Sequence, residues 1–258
     1  MGDPVNRIER RGPAAREEHG RPAAGGAAAG GPASSGPAAG GPVEGSGGGG
    51  GMPRVEGMPA VLRPRRPEDF DLLYEGTPPW EIGRPQPALL ALAEAGAFRG
   101  RVLDVGCGTG EHALLAASLG LEATGIDVAA AAIERAREKA AQRGLSARFV
   151  VGSVLDLTGL GGPFDTVLDS GLFHVLEDDD RSAFVAGLRA VVPPGGRYFL
   201  LCFSDRHPGA FGPRRIPQDE IRAAFADGWR VDSIEPVMID SAVQRAIAHA
   251  WLATITRT

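Results

Sequence analysis

The chain has almost no cysteine, tyrosine or lysine, and its histidines are few and scattered. Two cysteines in 258 residues, Cys107 and Cys202, exclude a disulfide framework as the source of stability. Lys139 is the single lysine, so nearly every cation is an arginine and lysine-based mechanisms are largely removed. The five histidines (His19, His112, His174, His207 and His249) show no H-x-x-x-H spacing, and there is no C-x-x-C. No metal is therefore expected. No run of 18 apolar residues exists, so no membrane span is expected. The N-terminus lacks the apolar stretch of a secretory signal. Together these absences lead to the expectation of a cytoplasmic protein in a reducing compartment.

Glycine and proline are abundant instead, at 38 and 21 residues, and unevenly spread. Residues 1–60 hold 17 of the glycines and 8 of the prolines. Such a segment buries too little apolar area to offset a backbone entropy cost of about 1–2 kcal/mol per residue. Residues 1–60 are expected to be a disordered tail and residues 61–258 a single domain. Charge divides in the same way: residues 1–66 carry a net +3 and the remainder a net −8. A globular part that negative repels a phosphate backbone, so nucleic acid is not an expected partner. Nothing in the sequence sets an oligomeric state.

Beyond the tail, apolar runs alternate with helical patterns. Strands are expected at 102–105, 121–127, 147–151, 164–169 and 197–203, and helices at 111–119, 128–143, 179–192 and 218–226. Pro67-Glu68-Asp69-Phe70 reads as a helix start, with proline in the first turn and two acids behind it. On the 128–143 helix the face carrying Glu134, Arg135, Arg137, Glu138 and Lys139 is expected to be exposed. Two closing strands fit 229–237 and 246–256. Alternation of this kind predicts an α/β fold, a mostly parallel seven-stranded sheet with helices on both faces. The last two strands, with no long helix between them, suggest an antiparallel edge hairpin.

The chemistry centres on Asp104-Val105-Gly106-Cys107-Gly108-Thr109-Gly110-Glu111, after the first strand and before the helix that follows it. Glycines allow positive φ and close approach of the backbone to a ligand. The helix start behind them offers unpaired N–H groups. Asp127 ends the next strand, where a carboxylate can take both hydroxyls of a ribose. Strand, glycines, helix and second-strand acid occur in the order a nucleotide-type site needs.

The G-x-G-x-G spacing, with an aspartate two residues ahead, resembles the class I S-adenosylmethionine-dependent methyltransferases. Phe164-Asp165-Thr166-Val167-Leu168-Asp169-Ser170 looks like their fourth-strand motif. Leu188 to Gly196 looks like their helix–loop before strand five. The resemblance covers residues 70–258 in order and implies a Rossmann-like fold with S-adenosyl-L-methionine as cofactor. It implies that Gly106, Gly108 and Gly110 pack against the methionine part, that Asp104 meets its amino group and that Asp127 holds the ribose. Ser153 and Val154 would flank the adenine. Many relatives have aspartate at the place of Ser153, so Asp156 is a substitute candidate. Asp169 is included among the cofactor-site residues, with support of its loop as its main expected role.

Within the family, Pro79-Trp80-Glu81-Ile82-Gly83, Asp169 to His174 and Leu200 to Asp205 resemble small-molecule methyltransferases of the thiopurine, thiol and tellurite-resistance type. They also resemble bacterial enzymes acting on quinone-like or heterocyclic toxins. That implies a small, aromatic, heterocyclic or quinol-type acceptor methylated on O, S or N. Trp80 has two open roles: covering the cofactor's sulfonium, or packing the N-terminal segment on the sheet. Phe70 and Tyr74 are expected beneath the same lid. His174, just beyond the fourth strand, is the first candidate for a catalytic base, with packing as its other reading. Asp205 and His207 are placed on the acceptor side, His112 is read as structural and His249 is given no role.

Pro78-Pro79-Trp80 superficially resembles the signature of amino-group methyltransferases of nucleic acid bases. Thr77 lacks the carboxylate or amide oxygen that signature needs, so that branch is rejected. A nicotinamide-dependent reductase would need Tyr and Lys four apart on a helix. Position 135, four before the only lysine, is arginine. A non-catalytic sensor or scaffold that binds the same cofactor is the alternative that the residues leave standing.

Overall fold

The computed structural model describes residues 67–209, 212–242 and 247–258. The tail expected at residues 1–60 lies outside the described residues. The elements run α1 (Pro67–Leu73), α2 (Pro87–Glu94), β1 (Arg101–Val105), α3 (Glu111–Ser118), β2 (Glu122–Asp127), α4 (Ala130–Arg143) and β3 (Arg148–Val151). A short 3-10 turn, Thr158–Leu160, precedes β4 (Thr166–Ser170). Then follow α5 (Asp178–Val191), β5 (Arg197–Phe203), α6 (Gln218–Ala224), β6 (Trp229–Asp240) and β7 (Ile247–Arg257).

The seven strands form one sheet in the order β3-β2-β1-β4-β5-β7-β6. The first five are mutually parallel, and β7 is antiparallel to both β5 and β6. The expected hairpin is present, with β7 inserted against β5 and β6 outermost. From β1 the chain first builds outward through β2 and β3, then returns to lay β4 on the other side of β1. Between β1 and β4 the winding reverses, and in open α/β sheets ligands bind outside the carboxyl ends of the strands at such a point. Register fixes what meets there: Val105 pairs with Ile126 on one side and with Asp169 on the other.

Strand alternation sorts the core into two layers. Leu103, Val105, Val167, Tyr198, Leu200 and Cys202 pack beneath α5 and α6 with Phe184, Leu188 and Ile221. Val102, Leu168, Phe199 and Leu201 point the other way, to Leu89, Leu114, Ile133 and Ala136 of α2, α3 and α4. The helices thus cover both faces, and each buried leucine or phenylalanine contributes about 1.5–3 kcal/mol.

The polar side of α4 is less solvated than its sequence suggests. Arg135 donates to the carbonyls of Tyr74 and Gly76, and Arg137 donates to that of Phe149 at 2.7 Å. Lys139 reaches across to Glu81, Thr109 and Glu111. These cations use their long stems to tie α4 to the loops around it.

Gly110 lets α3 and α4 close on the sheet. Its φ is +85°, and a Cβ there would stand 2.7 Å from the Phe149 ring and 3.0 Å from Ala136 Cβ. Left-handed backbone and overpacking each cost a non-glycine residue here. Gly110→Ala is expected to lower stability by roughly 2–5 kcal/mol in denaturant unfolding. A loss below about 1 kcal/mol would show that Phe149 yields without cost.

Candidate active site

The glycine turn is built from three left-handed residues, Gly106, Gly108 and Gly110, at φ +61°, +51° and +85°. One carboxylate fixes it. Asp127 Oδ2 accepts the Gly108 N–H at 2.8 Å, and its Oδ1 accepts the Ala129 N–H at 2.9 Å. A single buried side chain therefore joins the turn after β1 to the turn after β2. The Cys107 N–H donates to the Ile126 carbonyl at 3.0 Å and extends the β1–β2 pairing into the turn.

Each glycine is demanded by the chain's own packing. A Cβ on Gly106 would lie 3.1 Å from Leu172 Cβ, and one on Gly108 would lie 2.7 Å from the Tyr74 hydroxyl oxygen. Gly110 packs against Phe149, so its need for glycine is accounted for by helix closure rather than by space for a ligand.

Asp104 is almost wholly buried, and its Oδ2 accepts the Ala113 N–H of α3 at 3.1 Å. Burial, aided by the carboxylates of Asp127 and Asp169, pushes its pKa up to about 8. Burial also raises Asp127, against the pull of its backbone donors. Two desolvated acids at neighbouring strand ends suit a cationic ligand carrying hydroxyl groups.

The segment before α2 lies over this turn. Tyr74 is buried against Ala129 and Ala132 at the start of α4, with Phe70 beside it. Its hydroxyl accepts the Trp80 indole N–H at 2.9 Å. Trp80 stands edge-on to Tyr74 and remains 44% exposed. Glu81 accepts from Thr109 of the glycine turn and from Lys139 at 3.1 Å, and Lys139 also donates to Glu111 at 2.8 Å. Arg143 holds Glu111 through two further bonds. The Gln86 N–H donates to His112 Nε2 at 3.1 Å, and the Gln86 amide pairs in both directions with the Asp240 backbone. Burial holds His112 down at about 4, a structural imidazole as the sequence suggested.

Across the β1–β4 crevice, Asp169 is fully enclosed. Its carboxylate accepts the Tyr198 hydroxyl at 2.6 Å and the backbone N–H groups of Leu172 and Phe173. Burial pushes it up to about 6. The side chain shapes the turn after β4, the role expected for it first. His174 follows on that turn. Its Nδ1 accepts the Phe203 N–H at 3.0 Å, so the ring proton sits on Nε2. A base needs a vacant nitrogen lone pair, and this imidazole has already committed its own. Burial, with Arg215 and Arg181 nearby, lowers its pKa to about 3.

His207 and His249 join this side, and His249 carried no sequence signal. Phe203 stands 5.0 Å from His174 and 5.3 Å from His207, centroid to centroid. The His249 N–H donates to His207 Nδ1 at 3.2 Å. The expected adenine flank is less assembled. Ser153 is exposed and its Oγ accepts the Leu155 N–H at 3.2 Å, while Val154 is buried in the core. Asp156 is exposed and takes the Thr158 hydroxyl at 2.8 Å. The structure thus brings Asp104, Asp127 and the glycine turn together under Tyr74, with Trp80 bonded to the Tyr74 hydroxyl. His174 lies beyond them on the β4 side.

A family model described as a methyltransferase domain matches residues 102–196. The chain is 38% identical over 165 residues to a 2-heptyl-1-hydroxyquinolin-4(1H)-one methyltransferase of Mycobacteroides abscessus, a match covering 63% of this chain and 73% of that protein. A solved structure described as conversion of a disulfide bond into a thioacetal group during echinomycin biosynthesis is 40% identical, with a TM-score of 0.67. That match covers 74% of this chain and 92% of the other. At fold level the chain also matches the magnesium protoporphyrin IX methyltransferase of Synechocystis with bound SAM, at 20% identity and a TM-score of 0.53, over 66% of this chain and 76% of that one.

The raised pKa of Asp104 has a signed consequence. Its folded value, about 8, exceeds the ordinary 3.8. Its contribution is therefore fully present below about 4 and is lost as pH rises through 8. Ligand-free protein is expected to lose stability across that window, and Asp104→Asn to flatten the loss, in denaturant unfolding at several pH values. An unchanged slope in the variant would place the titrating group elsewhere.

Proposed function

The chain belongs to the class I S-adenosylmethionine-dependent methyltransferases, and from that premise we propose that it methylates an oxygen, sulfur or nitrogen carried on a small planar aromatic, heterocyclic or quinol-type molecule. The observation that carries this reading is the pairing of two unlike walls. An acid-lined glycine turn stands on the β1 side, and an imidazole–phenyl wall of His174 and Phe203 stands on the β4–β5 side. Support for the planar acceptor comes from the named hydroxyquinolone activity of the Mycobacteroides relative.

The residues present fit the cofactor. Asp104 is a desolvated acid whose ionisation a nearby cation favours. Asp127 stands at the strand end suited to a ribose, and Gly106, left-handed and half-buried, keeps the turn free of a side chain there. When bound, the cofactor supplies an electrophilic methyl on a sulfonium, and the neutral thioether left behind needs no acid. The protein's part is then alignment and exclusion of water. Orientation of this kind contributes on the order of 7–11 kcal/mol. Asp127 positions the turn and the ribose at once. Tyr74 packs against Gly108 and accepts the Trp80 indole N–H, and in this reading the Trp80 ring shields the transferring methyl. Ser153 and Val154 stand after β3, on the side assigned to the adenine. His174, fixed as an Nε2–H donor, orients the acceptor's nucleophile and does not deprotonate it.

A methyl-donor assay against quinols, phenols, thiols and hydroxyquinolines tests the assignment, with turnover expected on the planar hydroxyl compounds. Turnover confined to aliphatic thiols, or cofactor binding with no turnover at all, would overturn it. Asp127→Ala is expected to weaken cofactor binding about 10–100-fold; an unchanged dissociation constant removes Asp127 from the site. His174→Ala is expected to lower kcat about 10–100-fold, the worth of one hydrogen bond to a charged group, at unchanged cofactor affinity. Because the imidazole gains a proton only near pH 3, His174 gives the pH–rate profile no limb near 6.5. A limb there that vanishes in the variant would restore the base role.

A further inference from the structure

Resting on that acceptor assignment, we propose that His207 is a second acceptor-recognition residue, paired with His174 across the Phe203 ring, and that this pair selects hydroxylated heteroaromatics whose hydroxyl is already ionised. Both imidazoles are held by the same device. The Phe203 N–H donates to His174 Nδ1 at 3.0 Å and the His249 N–H to His207 Nδ1 at 3.2 Å. Backbone donors cannot reverse, so each ring carries its proton on Nε2 and presents a donor. The sheet enforces the second bond. Phe203 pairs with Ala250, and the Ser204 N–H donates to the His249 carbonyl at 3.0 Å, which anchors the β5 loop to β7 where His207 meets it.

The surroundings reinforce this chemistry. The charged or titratable groups facing His174 are Arg215 from the loop before α6 and Arg181 from α5. Those facing His207 are Arg215 and His249. The Arg215 guanidinium lies 5.3 Å over the Phe203 ring and donates to the His207 carbonyl. Among the described residues, no carboxylate hydrogen-bonds either imidazole. A neutral hydroxyl meeting this pair finds two imidazole donors and a guanidinium cation. An aryloxide finds charge-assisted hydrogen bonds, roughly twice as strong as neutral ones, and a phenyl ring to lie against. The proton therefore leaves to solvent before transfer. The ionised oxygen then forms the new C–O bond as the C–S bond breaks, its negative charge cancels the sulfonium's positive charge, and the bonding pair stays on sulfur.

The test is a congeneric series of hydroxyquinolines and phenols with hydroxyl pKa values from about 5 to about 10. Their kcat/KM is followed against pH with the full chain and a saturating methyl donor. The acid limb is expected to move with the acceptor's own pKa. A limb fixed at one pH for every acceptor overturns the proposal, because it reports a base on the protein. His207→Phe is expected to raise KM at least about 10-fold for ionised acceptors at unchanged cofactor affinity. His207→Asn is expected to retain most of the wild-type KM, since its amide oxygen can take the His249 N–H while its NH2 donates. Equal effects of the two substitutions, or none, would make His207 a packing residue. Absence of turnover across the whole series removes the planar-acceptor assignment itself, whereas turnover with a fixed limb removes only the selection of ionised acceptors.

Discussion

The site depends on one buried carboxylate that serves two turns. Asp127 accepts a backbone N–H from Gly108 and another from Ala129, so the glycine turn and the entry to α4 are one rigid piece. Removing either amide would leave a desolvated oxygen without a donor, a penalty of about 1–3 kcal/mol or more for a charge. The parallel register of β1 and β2 delivers Asp127 to that position. Sheet geometry therefore sets the binding surface before any loop closes over it, which is the preorganisation that a displacement reaction rewards.

The lid is tied to this piece through ions and an amide clasp. Glu111 is buried between Lys139 and Arg143, and those cations hold its carboxyl below its usual range despite burial. Lys139 also holds Glu81, which in turn takes the Thr109 hydroxyl. Such a cluster gives little net stability, because desolvation offsets its attraction. It gives register: Glu81 meets Thr109 and Lys139 while its neighbour Trp80 is bonded to Tyr74. On the other side, Gln86 joins the lid to the end of β6, and the Ala242 N–H and Ser241 hydroxyl both donate to the Pro79 carbonyl. The lid thus spans from α4 to the antiparallel edge.

What the sequence disclosed was what is local in the chain. The β1–turn–α3 unit, Asp127 at the tip of β2 and the turn after β4 could be read because glycine spacing and strand ends lie within a few residues of one another. What it hid depends on distant pairing. Lys139 looked like part of a solvated helix face, and only the packing of α4 beside the glycine turn, the start of α3 and the segment carrying Glu81 gives it partners. His249 looked idle, and only insertion of β7 beside β5 sets its amide against His207. Asp169 is expected mainly to support its loop, but its partner Tyr198, one strand over and 29 residues on, could not be read from the sequence. At His174 the residue type suggests a base, whereas the Phe203 N–H at Nδ1 favours a donor role, and that bond depends on a strand 29 residues on.

Three histidines, His112, His174 and His207, each accept a backbone N–H on one ring nitrogen. This is a consistent use of imidazole. Backbone amides fix orientation and proton position, and burial keeps His112 and His174 neutral down to about pH 4 and about pH 3. In the proposed reading, a site furnished in this way performs no acid–base cycle of its own. It has no need of one on the leaving side, where the thioether departs neutral. On the attacking side, the proposed selection of ionised hydroxyls leaves the proton to solvent before the methyl moves. Under that proposal the strength of the nucleophile is a property of the acceptor, and selectivity lies in the sign of charge that the donors and guanidiniums admit.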